Sequence, residues 1–238
     1  MNTQVIFIIV FMALVYGGIM YFMYAKKKKM KATMQNTDFK AEFRNAEIYK
    51  TNFLNGDLRF LSEQMNGKPL DAFNFANLEY TNKSAMKDGM KDVLKSAATL
   101  GTVKYHTVQT PKYLILSNND LHLLDTDTEG EISNHLVFDQ QRLSQSAISE
   151  IPLEGMIKAF AKQKGDQVKA YKIALATDDK PIELVLFSAL LFTHVNTGTN
   201  MLSMNMEKLV QENVIANDFL KKLGDRHANL KVEVPILA

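Results

Sequence analysis

"KYLILSNNDLHLLD", residues Lys112–Asp125, is the stretch on which the fold class turns. Tyr113-Leu114-Ile115-Leu116 and Leu121-His122-Leu123-Leu124 are apolar runs too short for helices, and Ser117-Asn118-Asn119-Asp120 separates them. Two such runs around an Asn-Asn pair read as antiparallel strands joined by a tight hairpin. The same period of two begins upstream, where Val103, Tyr105 and Thr107 alternate with polar residues.

Downstream, further strands are expected at His135–Asp139, Ala147–Leu153, Met156–Lys162, Val168–Thr177 and Ile182–Phe187. Asp178-Asp179-Lys180-Pro181 supplies a turn between the last two. Connections this short favour a meander over parallel crossovers. The period then lengthens: Leu209, Val210, Val214, Phe219, Leu220 and Leu223 predict a helix from about Ser203, with Gly224 as its stop. The tail Val232–Leu237, interrupted by Pro235, reads as an edge strand or a surface-packed end.

Towards the N-terminus the pattern is helical. Thr37-Asp38 caps a segment carrying Phe39 and Phe43 on one face, Asn55-Gly56 punctuates it, and a short helix spans Asp57–Met65 before Asn66-Gly67-Lys68-Pro69. Apolar residues from Ala85 to Ala98 predict another helix over Ser84–Leu100, stopped by Gly101. Residues 37–101 are therefore expected to be a helical region and 102–224 the β domain with its closing helix. Residues 225–238 form a tail.

Val5–Tyr24 contains no charged side chain. At ~1.5 Å per residue, about 20 residues cross the ~30 Å hydrocarbon core of a bilayer. The run is too long for a leader's apolar core, no basic residue precedes it, and Tyr24-Ala25-Lys26 is a poor cleavage site. Residues 1–25 are therefore expected to be a retained transmembrane helix, followed by a basic linker over 26–36. Lys26, Lys27, Lys28, Lys29 and Lys31 predict, by the positive-inside rule, an outward N-terminus and a cytoplasmic main domain at the cell membrane. The same lysines suit anionic headgroups, although orientation alone accounts for them.

Lys+Arg total 28 and Asp+Glu 26, a net charge of +2. The lysine block supplies more than that excess, so the rest of the chain is slightly acidic and lacks the footprint of a nucleic-acid binder. With no cysteine, disulfides, thiolate catalysis and Cys-ligated metals are excluded.

"KYLILSNNDLHLLD" (112–125), "ISEIPLEGMIKAF" (148–160), "YKIALATDDKPIELVLF" (171–187) and the helix after them together resemble a bacterial pleckstrin-homology-like domain. The resemblance covers Thr102–Leu223. It implies a bent barrel or sandwich of seven strands closed at one end by the helix, binding lipids, peptides or itself without catalysis. The wider superfamily's lipid binders carry a basic loop between their first two strands. Here Val108-Gln109-Thr110-Pro111-Lys112 holds one lysine, which argues against phosphoinositide recognition.

Motifs for chemistry are sparse. "DTDTEGEISNHL" (125–136) puts Asp125, Asp127 and Glu129 at alternate positions before Gly130, as a calcium loop does, but Leu136 stands where a bidentate Glu belongs. A polar acidic hairpin loop is the simpler reading. In "GMIKAFAKQKGDQVK" (155–169), Met156, Ile157 and Phe160 lie among Lys158, Lys162 and Lys164, an apolar tip with basic shoulders that suits an anionic membrane surface or one face of a buried element. His106, His122, His135, His194 and His227 show no metal-binding spacing, and no nucleophile-elbow, P-loop or dinucleotide motif occurs. No cofactor or metal is expected. The chain reads as an α+β, membrane-tethered, non-catalytic interaction domain whose partner is a protein, another copy of itself or anionic lipid. The alternatives are a structural component that oligomerises through the helical region and, further off, an enzyme acting on membrane-associated substrates.

Overall fold

The computed structural model describes residues 3–78, 110–154, 158, 161–162, 164–192 and 205–238. Helix α1 runs from Thr3 to Asn36. Then come α2 (Phe39–Glu42), a 3-10 turn, α3 (Ala46–Asn55) and α4 (Arg59–Gln64). Strands follow as β1 (Ala72–Leu78), β2 (Lys112–Ser117), β3 (Asp120–Thr126) and β4 (Ile132–Phe138). After α5 (Gln140–Ser144) come β5 (Ala147–Ile151), β6 (Ala170–Leu175), β7 (Ile182–Phe187) and helix α6 (Met206–Arg226). The class is α+β.

The strands form one seven-stranded antiparallel sheet in the order β4-β3-β2-β1-β7-β6-β5. The hairpin is as the opening stretch implies: Leu114 pairs with Leu123 and Ser117 with Asp120. Its turn places Asn118 at φ +52°, a left-handed conformation that asparagine tolerates better than most residues. The Asn118 N–H donates to Asp71 Oδ2 at 2.8 Å, and Arg226 of α6 holds its carbonyl.

Both faces of the central strands are covered, while the edge strands β4 and β5 are largely exposed. On one, Leu114, Leu116, Leu121, Leu123, Tyr171, Ile173, Leu184 and Leu186 pack against Phe219, Leu220 and Leu223 of α6. On the other, Phe73, Tyr113, Ile115 and Leu124 meet Phe53, Leu58, Leu61 and Met65 of the α3–α4 region, together with Ile215 of α6. Two-sided burial explains why the strands read as nearly unbroken apolar runs rather than clean alternation. Each large side chain so buried contributes on the order of 1.5–3 kcal/mol.

Several expectations need correction. Residues 37–101 are not a purely helical region, because β1 lies within them and is the sheet's central strand. Ala72-Phe73-Asn74-Phe75-Ala76-Asn77-Leu78 was hidden by two buried asparagines. Asn74 donates to the Phe187 carbonyl at 3.0 Å and Asn77 to the Leu191 carbonyl at 2.9 Å, so the sheet buries amides that a polarity pattern assigns to solvent. Phe53 and Leu61 pack in the sheet cluster, whereas Ala46 meets Val214 of α6 and Ile236 of the tail. Residues 26–36 are no linker, since α1 continues through them to Asn36. Of the strand expected at Met156–Lys162, the described residues, Lys158, Ala161 and Lys162, are helical rather than extended.

Gly224 does not end α6, which reaches Arg226. Its missing side chain admits Lys231, whose Cα would lie 3.0 Å from an added Cβ. The tail forms 3-10 turns, with Ile236 buried against Ala46 and Val214. The helix expected at Ser84–Leu100 and the strand at Val103–Thr107 lie outside the described residues.

Candidate functional site

The basic residues gather where three segments meet: the foot of α1, the segment around Lys158–Asp166 and the first turns of α6. Lys26 is half-buried on α1, Lys28, Lys29 and Lys31 are exposed, and Lys27 belongs to the same helix. Lys31 lies 3.0 Å from Asp166, which brings the two basic segments to one end of the molecule. Both partners are more than half exposed, so the pair locates the contact and contributes under about 1 kcal/mol. The join is made firmer by Met34, buried against Leu209 beside Phe39 and Val210.

Lys158 and Lys162 are exposed and remain available to a surface. Lys164 is not part of that shoulder. Its ammonium lies 2.5 Å from Glu212, each side chain only 14% exposed, and its carbonyl accepts from Asn213. Withdrawing one partner of such a pair leaves a poorly solvated charge, so Lys164 serves the fold. Met156, Ile157 and Phe160, the apolar tip, lie outside the described residues, as does the polar stretch 194–200.

At the α1–α6 junction, Phe22, Ala25, Lys26, Lys29 and Met206 line a groove of about 370 Å³. The first four recur at i, i+3, i+4 and i+7, one face of a helix. Met206 opens α6, whose N-cap Asn205 accepts from the Glu207 N–H at 3.0 Å.

The acidic loop does not gather calcium ligands. Asp127 Oδ1 accepts from the Glu129 and Glu131 N–H groups at 2.8 and 3.0 Å, closing its own turn, and Asp125 pairs with Lys112 at 2.7 Å. Among the described residues no group of three or more potential ligands is placed to hold a metal ion.

Two perturbed clusters escaped the sequence reading. His122 Nδ1 lies 2.7 Å from His135 Nε2 across β3 and β4. Burial lowers the His122 pKa to about 4, with His135 and Lys68 adding in the same direction. Burial and Lys68 lower His135 as well. The pair shares one hydrogen bond on a sheet face, and the Asp120 carboxylate acts on His122 against the downward shift. The second cluster bolts α3, α6 and β1 together. Lys50 and Lys222 both donate to the Asp71 carbonyl, at 2.8 and 3.0 Å, and Arg226 reaches Asp71 Oδ2 at 2.8 Å. Burial opposes the charge on Lys222, but its pairs with Asp218 and Glu47 outweigh it and raise the pKa. Burial raises Asp218. Long-range pairing of this kind leaves no mark in local sequence.

No family model matches the chain, and neither a curated protein nor a solved structure matches it.

Proposed function

We propose that this protein is a membrane-tethered, non-catalytic interaction domain of pleckstrin-homology-like type. Its stalk is α1 and its working surface faces the bilayer, where it engages a protein or anionic lipid. The observation that carries the reading is the exposure of α1's apolar side chains all round the helix. Phe11, Leu14, Tyr16, Ile19, Tyr21 and Tyr24 are between 50% and 74% exposed, and no element of the described fold covers them. A helix apolar on every side needs an apolar surrounding. A bilayer supplies it at the length given by Val5–Tyr24, and the lysines that follow suit the interface.

Among the residues whose side chains are described, which begin at Phe11, no helix is long and apolar enough to cross a membrane. The apolar residues Val5–Val10 lie ahead of them in the same helix. An antiparallel sheet with a C-terminal helix packed on it supports this reading, with the difference that the central strand β1 lies ahead of the Thr102–Leu223 stretch that carries the resemblance. Tethering gives the domain its mechanism, since confinement to the bilayer raises its effective concentration toward neighbours there.

The chain has no cysteine, so single-cysteine variants report topology directly. On intact cells, Asn2→Cys is expected to react with a membrane-impermeant maleimide, and Ala238→Cys only after permeabilisation. Leu14→Arg places a charge at mid-span at a cost of about 2.5–3.5 kcal/mol and is expected to increase alkaline extraction. Complete extraction of the unmodified chain at alkaline pH overturns the proposal.

A further inference from the structure

From the groove between α1 and α6 we infer a binding site for a single anionic phospholipid, which clamps the globular domain to its own stalk. The inference rests on α1 as a membrane span. It differs from diffuse attraction of the lysine block to the bilayer surface, because it names one face of the helix and one residue of the domain.

The face formed by Phe22, Ala25, Lys26 and Lys29 is graded along the helix axis, apolar above and cationic below, the same order as in a lipid entering its headgroup zone. With the hydrocarbon edge set at Tyr24, a rise of ~1.5 Å per residue puts Lys26 about 3 Å and Lys29 about 7.5 Å beyond it. The headgroup region is about 5–7 Å deep on each side, so the backbone of Lys26 lies within it and that of Lys29 at its outer boundary. Met206 closes the groove from the domain side. At about 370 Å³ the space falls within the range of small-ligand pockets and takes a headgroup with the start of its chains. The cationic rim selects an anionic headgroup over a zwitterionic one.

The consequence is mechanical. Met34 and Leu209 make a small apolar join below the groove, and the Lys31–Asp166 pair beside it is exposed to solvent. A lipid lodged between α1 and Met206 adds contact on both elements and fixes the domain against the membrane.

The test uses the full chain in nanodiscs of phosphatidylcholine with one-fifth phosphatidylglycerol, followed by native mass spectrometry of the released protein. One phosphatidylglycerol retained per chain is the expected result. The double variant Lys26→Gln/Lys29→Gln is expected to abolish retention. Lys28→Gln/Lys31→Gln removes the same charge outside the groove and is expected to retain lipid. Ala25→Trp fills the groove without touching charge and is expected to abolish retention. Equal loss in both lysine pairs, retention by Ala25→Trp, or lipid-free dimers overturns the site. Alkaline extraction of the same preparations separates the failures: a chain that stays inserted but keeps no lipid refutes the site alone, and one that does not insert refutes the span and the site together.

Discussion

Acidification from pH 7 to pH 5 is expected to weaken the fold through His122. This imidazole is buried in the sheet, with its folded pKa near 4 against an ordinary 6.5. It is faced by His135 from β4, Lys68 from the loop before β1 and Asp120 from its own strand. A depressed folded pKa means that the unfolded chain takes up the proton first. The stabilisation is therefore complete above pH 6.5 and is lost as the pH falls towards 4. Between pH 7 and pH 5 the linkage amounts to about 2 kcal/mol, and over the whole interval to about 3 kcal/mol.

The comparison that isolates this effect is His122→Leu. The Nε2 atom has no partner among the described residues, and Nδ1 bonds only to the exposed His135, which water can serve instead. The variant should differ little from the parent at pH 7. Urea midpoints followed by far-ultraviolet circular dichroism suit a chain without tryptophan. The full chain in mild detergent should lose about 2 kcal/mol more than the variant on going to pH 5. Equal losses in the two proteins refute the assignment.

Phe219, fully buried between α6 and the sheet, should cost about 3–5 kcal/mol on replacement by Ala, seen as a large fall in Tm. Gly224→Val drives a side chain into Lys231 and should cost about 1–3 kcal/mol, whereas Gly17→Val, with nothing within 4 Å of its Cβ, should leave the melting of the domain unchanged. Lys164→Met strands Glu212 and should destabilise by about 3–5 kcal/mol at neutral pH. It should leave binding to anionic liposomes unaltered, whereas Lys158→Gln/Lys162→Gln should weaken such binding if those exposed lysines face the membrane.

The residues divide by how local their causes are. Ile182–Phe187 and the Lys112–Thr126 hairpin were legible because a short apolar run and an Asn-Asn turn act within a few residues. Helix α6 was legible from its spacing. Lys26, Lys28, Lys29 and Lys31, expected in a linker, lie within α1, which continues to Asn36.

Tertiary structure decided the rest. Whether Asn74 and Asn77 lie in a strand depends on carbonyls more than a hundred residues away. Whether Lys164 is a surface charge depends on Glu212, and Gly224 is a close-approach point only because Lys231 folds back on it. The groove likewise exists because Met206 closes a face that α1 alone presents to solvent. Sequence determines what each segment can satisfy by itself, through its backbone period and its turns. Burial of a polar or charged group is favourable only when a distant partner replaces water, and the identity of that partner is fixed by the fold.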